Sequence, residues 1–142
     1  MTLALIAFGF CTVLVGCVTK AKINDVWLSY PTVRKVVMTN MPLGVRDESP
    51  NGREITSNYF SPKNWEVNAT EKSERAFAKA VILGSSRPYK IDIKIMREKK
   101  SGKGYVSLGE DKKLTQELVE AIRDALADRR EERNIIDEFR AF

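Results

Sequence analysis

The sequence predicts an α+β fold: a single antiparallel β-sheet of four to six strands, packed on one face by a long C-terminal α-helix. Three observations predict it. Residues 76–97 alternate apolar and polar side chains on either side of a turn at 84–88, the pattern of a hairpin with one buried face. Residues 111–126 repeat apolar residues at three- and four-residue steps, the period of a helix with one buried stripe. The chain has 142 residues, 43% of them hydrophobic and 30% charged, which fits one folded domain better than a disordered chain.

The N-terminal stretch stands outside that domain. Residues 3–18, LALIAFGFCTVLVGCV, carry no charge. The run is short for a hydrocarbon core, which takes about 20 residues in a helix. It has the length of the apolar region of a signal peptide. It closes on Leu14-Val15-Gly16-Cys17, which resembles the lipobox of bacterial lipoproteins. The resemblance covers only this segment. It implies cleavage before Cys17 and acylation of that thiol, so that residues 1–16 are a signal peptide, 17–24 are the lipidated Cys and a tether, and 25–142 are the domain. One feature departs from the family pattern. Only Met1 and Thr2 precede the apolar run, so the amino terminus alone supplies the usual positive charge or the chain starts further upstream. The competing readings are an ordinary secretory leader cut elsewhere and a short retained anchor. A Cys at this place favours the lipobox, since a plain cleavage site prefers A-x-A. Val18, rather than Asp, follows the Cys. In lipoproteins of the enteric type that implies no retention at the inner membrane, hence an outer-membrane protein facing the periplasm where the source has two membranes.

Along the domain, Asp25–Tyr30 reads as a first extended segment stopped by Pro31. The β-branched Val33–Thr39 reads as a strand. Asn40–Gly52 holds Pro42, Gly44, Pro50, Asn51 and Gly52 and is expected to be a long loop. Arg53–Phe60 is the next strand. Residues 61–73 are a second long loop with a short extended piece at 65–67. Tyr59, Phe60 and Trp65 cluster there, and anchoring of the loop to the core is their expected use. Asn68-Ala69-Thr70 matches a glycosylation sequon, taken as chance beside a bacterial lipobox.

The hairpin follows. Tyr89, Ile91, Ile93 and Ile95 share one face of its second strand, and Ala76, Ala78, Ala80 and Ile82 one face of its first. Pairing Ile82 with Tyr89 sets the alanines against the isoleucines and Lys79 opposite Asp92, an opposite-charge pair worth ~0.2–1 kcal/mol. A one-residue slip would put Lys79 on the isoleucine face. The Ala/Ile face is therefore the expected core face. Arg97–Gly104 is a basic turn and Tyr105–Leu108 a short strand. Asp111 is the expected N-cap of the helix. Glu110 and Asp111 stand at its positive end, and Arg129, Arg130 and Arg133 at its negative end. The tail 134–142 is apolar enough to suggest a docked segment that continues or restarts the helix.

Composition narrows the chemistry. The chain has no His, which excludes Ser-His-Asp and Cys-His relays and imidazole metal sites. Two Cys, one of them in the leader, cannot build a zinc cage. Ser101-Gly102-Lys103-Gly104 lacks the spacing of a phosphate loop. No Ser-x-x-Lys pair follows the leader. Most of the acids lie on the helix, such as Glu117, Glu120, Asp124 and Asp128, or in loops, where solvation and i,i+4 pairing account for them. No catalytic residue, cofactor or metal is expected.

Lys and Arg total 24 against 19 Asp and Glu, a net charge of +5. Arg75, Lys79, Lys90 and Lys94 fall on the hairpin face away from the core, with Phe77 among them, and are the candidate ligand-binding residues. Such a face suits an anionic lipid or glycan. A solvated face of mixed charge, with Asp92 in it, is the plainer account. Nucleic acid is not expected, on grounds of compartment. The leading expectation is a non-catalytic envelope lipoprotein, attached to the membrane through Cys17. It would hold a partner, an envelope protein, with loops 40–52 and 61–73. The alternative is a module that takes an anionic ligand on the basic face.

Overall fold

The computed structural model describes residues 21–66 and 74–140, with side chains described up to residue 133 in the last helix. The segment expected to be a leader, Cys17, the sequon and residues 67–73 of the expected second loop lie outside the described residues. In chain order the elements are β1 (Lys22–Val26), α1 (Tyr30–Thr39), β2 (Val45–Glu48), β3 (Glu54–Ser57), β4 (Glu74–Leu83), β5 (Tyr89–Ser101), β6 (Gly104–Glu110) and α2 (Lys112–Arg140). The strands form one antiparallel six-stranded sheet in the order β1-β5-β4-β3-β2, with β6 also on β5. The fold is α+β, with α2 packed on β5 and α1 against α2.

The core is the Ala/Ile face. Ala76, Ala78, Ala80, Ile91, Ile93 and Ile95 are fully buried, and Leu114, Leu118, Val119, Ile122 and Leu126 of α2 are buried with them in one cluster. Each isoleucine removed from water contributes roughly 1.5–3 kcal/mol. The small alanines leave room for the bulkier isoleucines and the helices on that face.

One edge of β5 is shared. β1 pairs with its Tyr89–Asp92 part and β6 with its Met96–Ser101 part. Ile93 N–H donates to the Ala21 carbonyl at 2.9 Å. Ile95 falls in the gap between the two strands, and the start of α2 fills it. The Asp111 N–H donates to the Ile95 carbonyl at 2.8 Å, and the Ile95 N–H donates to the Thr115 hydroxyl at 2.9 Å. Asp111 is the N-cap expected, since its Oδ1 accepts from the Leu114 N–H at 3.1 Å. The backbone of α2 then continues without a break to Arg140. Ala127–Arg133 are exposed, so the helix runs on past its buried stripe.

Several expectations are corrected. Arg97–Gly104 is not all turn, since β5 runs on to Ser101 and β6 starts at Gly104. Val33–Thr39 is not a strand but most of α1. Ser29 precedes the helix with extended backbone, and Pro31 sits in its first turn. Val33, Val36 and Val37 fall at helical steps on its buried face. Burial of that face outweighs the low helix propensity of valine. The extended segment expected at Asp25–Tyr30 lies earlier, at Lys22–Val26, inside the stretch read as tether; Asp25 has φ 57° at a register shift, and Tyr30 already begins α1. The stretch 40–52 is not a free loop. It contains β2, and the Asn58 side-chain amide donates to the Leu43 carbonyl at 2.8 Å. The hairpin register is two residues from the expected one: Ile82 faces Ile91, and Lys79 faces Lys94 instead of Asp92. An even shift keeps every side chain on its face, so the alternation could select the face but not the partner. Tyr89 pairs instead with Val26 of β1.

The aromatic cluster divides between the two faces. Phe60 is fully buried, bridges to Ala76, and stacks on Trp65 with centroids 5.0 Å apart. Trp65 has φ 59° and ends a turn rather than an extended piece. Tyr59 meets Phe77 edge-on at 5.8 Å on the other face.

Candidate binding face

Alternation along β4 and β5 brings Arg75, Lys79, Lys90 and Lys94 to the sheet face opposite the helices, together with Phe77, Asp92, Met96 and Glu98. The four basic residues do not behave alike. Arg75 is committed. Its guanidinium lies 3.6 Å from the ring centroid of Tyr59 and 3.5 Å from that of Tyr105, and Nε donates to Glu98 Oε2 at 2.7 Å. Its side chain is only 17% exposed. Arg46 stands over Tyr59 as well, at 3.9 Å. Arg46, Tyr59, Arg75 and Tyr105 thus form a stack that joins β2, the β3–β4 connection, β4 and β6 across the face. Each cation–π contact is worth ~0.5–2 kcal/mol.

Lys79 is half committed. Its ammonium pairs with Glu54 at 2.7 Å while both side chains stay about half exposed. It also faces Lys94 across the strands, a like-charge juxtaposition that opposes pairing. Lys90 and Lys94 are exposed and make no ion pair among the described residues. Lys22 of β1 joins them, because it lies opposite Asp92, which stands between Lys90 and Lys94 along β5. Asp92 sits lower. It is half-buried, and its Oδ1 is closed off from solvent without a hydrogen-bond partner, so three exposed lysines surround one partly shielded carboxylate. Trp27, 60% exposed, follows β1 at the same end of the sheet as the 84–88 turn, whose Arg87 donates to the Trp27 carbonyl at 3.4 Å.

Reading the chain residue by residue missed Lys22, Trp27, Arg46, Tyr59 and Tyr105 as members of this face. Tyr59 and Tyr105 reach Arg75 from distant segments, and no local period marks such a meeting. Lys22 could have been found had Lys22–Val26 been read as a strand, since Ile23 and Val26 are its buried residues.

A second polar cluster ties α1 to β2. Arg34 Nε and Nη2 donate to the two carboxylate oxygens of Glu48 at 2.6 and 2.7 Å. These hydrogen bonds, helped by the guanidinium charge and opposed by partial burial, hold the Glu48 carboxyl below its usual value; the same hydrogen bond raises Arg34. Gly52 passes close by with φ 68°, and a Cβ there would stand 2.9 Å from the Tyr30 hydroxyl and 3.0 Å from Glu48 Oε1. The cluster clasps α1 to β2 and lines an open groove of about 460 Å³ with Tyr30, Arg34, Glu48, Asn51 and Gly52.

Open grooves lie among the described residues. One of them, about 470 Å³, lies between α1 and α2, where Lys35, Asp128, Arg129 and Glu132 mix both signs of charge. Among the described residues, no three His, Cys, Asp or Glu side chains gather as a metal site, and no helix is long and apolar enough to cross a membrane. No family model, curated protein or solved structure matches the chain.

Proposed function

We propose that the protein is a lipid-anchored, non-catalytic binding component of the cell envelope that presents the open face of its sheet to an anionic partner. The lipobox ending at Cys17 supports the anchor. One observation carries the binding face: Lys22, Lys79, Lys90 and Lys94 are exposed side by side on the face that neither described helix covers, although Lys79 and Lys94 repel across the strands. The segment 40–52, the other expected surface for a partner, is pinned down by Asn58, by the Arg34–Glu48 pair and by the Tyr30 hydroxyl on the Asn51 carbonyl. That leaves the basic face as the better surface.

The test has two arms. The full-length protein should fractionate with membranes with residues 1–16 removed and acyl mass on Cys17, and Cys17→Ser should release it. On a heparin resin, chosen as a plain polyanion, Lys90→Glu with Lys94→Glu should elute at clearly lower salt than the parent. A parent chain found uncut in the soluble fraction sinks the anchor. Identical elution of the double variant sinks the face.

A further inference from the structure

We propose that the corner formed by Lys22, Lys90 and Lys94 rests on the anionic headgroups of the bilayer that holds the Cys17 acyl chains, with Trp27 at the membrane interface. The inference builds on the lipid-anchor reading above and adds an orientation to it.

The length of the tether carries the argument. Five residue steps separate Cys17 from Lys22. A fully extended chain covers at most about 3.6 Å per residue, so the Lys22 Cα stays within about 18 Å of the Cys17 Cα. Lys22 is not at a remote tip. It pairs with Asp92 in the sheet, and Ala21 just before it accepts from Ile93. The acyl chains are therefore tethered within reach of this edge of β5 and far from the opposite edge at β2. The two lysines that flank Asp92 on β5 are at the same edge, on the uncovered face.

Charge and polarity agree with that placement. Electrostatic attraction decays over about 8 Å at physiological salt, so only charges held near the surface feel it strongly. The short tether lets Lys22, Lys90 and Lys94 come within that range, and they have no carboxylate in ion-pair distance among the described residues. Long lysine stems can lie along the face while their ammonium groups reach phosphates. Trp27 is the most exposed large apolar side chain described, and Leu83, which faces Lys90 across the hairpin, is 42% exposed. Tryptophan prefers the headgroup level, where its ring is apolar and its N–H wet. In this pose the helical face points away from the membrane.

The experiment uses the full-length lipidated protein in vesicles of phosphatidylcholine alone or of phosphatidylglycerol mixed with phosphatidylcholine. A water-soluble amine reagent labels the exposed lysines, and mass spectrometry reads each site. In the anionic vesicles, labelling of Lys22, Lys90 and Lys94 should fall roughly fivefold, while Lys35, Lys112 and Lys113 on the helices keep their level. Brominated lipid should quench Trp27, and Trp27→Phe should remove that quench. Lys90→Glu with Lys94→Glu should restore the labelling of Lys22. Equal labelling in the two vesicles, on a chain whose mass shows the acyl groups, overturns the docked face and leaves the anchor standing; a partner glycan on this face would give that result. A mass that shows Cys17 bare overturns the anchor and the docked face together.

Discussion

Arg34 and Glu48 lie fourteen positions apart in the chain and meet through two short hydrogen bonds, joining a helix to the outermost strand. The pair has a defined pH signature. Because the folded state lowers the carboxyl of Glu48, folding favours its ionised form. That contribution is complete above the unfolded carboxyl value and is lost as pH falls through the lowered folded one. The urea midpoint should therefore drop on acidification, and Glu48→Gln should reduce it at neutral pH while flattening this part of its acid dependence. A parallel acid loss in parent and variant would show that other carboxylates account for it. Arg75 shows what a single position can and cannot reveal. Alternation placed it on the outer face. Its stacking on Tyr59 and Tyr105 depends on two chain segments that no local pattern links, so a residue expected to bind a ligand turns out to be largely occupied inside the protein.

Among elements, the hairpin, the last strand and the C-terminal helix were legible because each has a period that burial enforces. The first helix was not. Its valines suit a strand by intrinsic preference, and only their three- and four-residue spacing, over ten residues, argues for the helix that is seen. Short elements such as β2, four residues long and rich in charge, carry too little pattern to be read at all. The start of α2 offers a direct test of how helix and sheet are joined. Thr115 is 2% exposed and accepts the Ile95 N–H. Thr115→Val keeps the shape and leaves that N–H buried without a partner, which should cost about 1–3 kcal/mol in urea unfolding. Thr115→Ser retains the hydroxyl and should recover much of the loss.

For the whole molecule, the two-layer plan could be inferred because one sheet face and one helix stripe have no other way to leave water. The placement of β1 and β6 end to end on β5 could not, since it depends on the long reach of a thirteen-residue strand across both. One hydrophobic cluster links strands from both halves of the chain to both helices. Unfolding should then be a single transition. Ile93→Ala, at its centre, should remove ~2–5 kcal/mol. Circular dichroism and tryptophan emission should shift to the same lower midpoint, whereas separated midpoints would mean that the helices and the sheet come apart independently.

The margins of the sheet carry a consequence of their own. On one side the boundary strand is four residues long, irregular in register and charged at Arg46, Asp47 and Glu48. On the other, the boundary is broken into two short strands, each with its own register irregularity. Neither side offers a long straight row of unsatisfied peptide groups to which another polypeptide could add. Such ragged borders act against runaway cross-β aggregation wherever copies of the protein are crowded together.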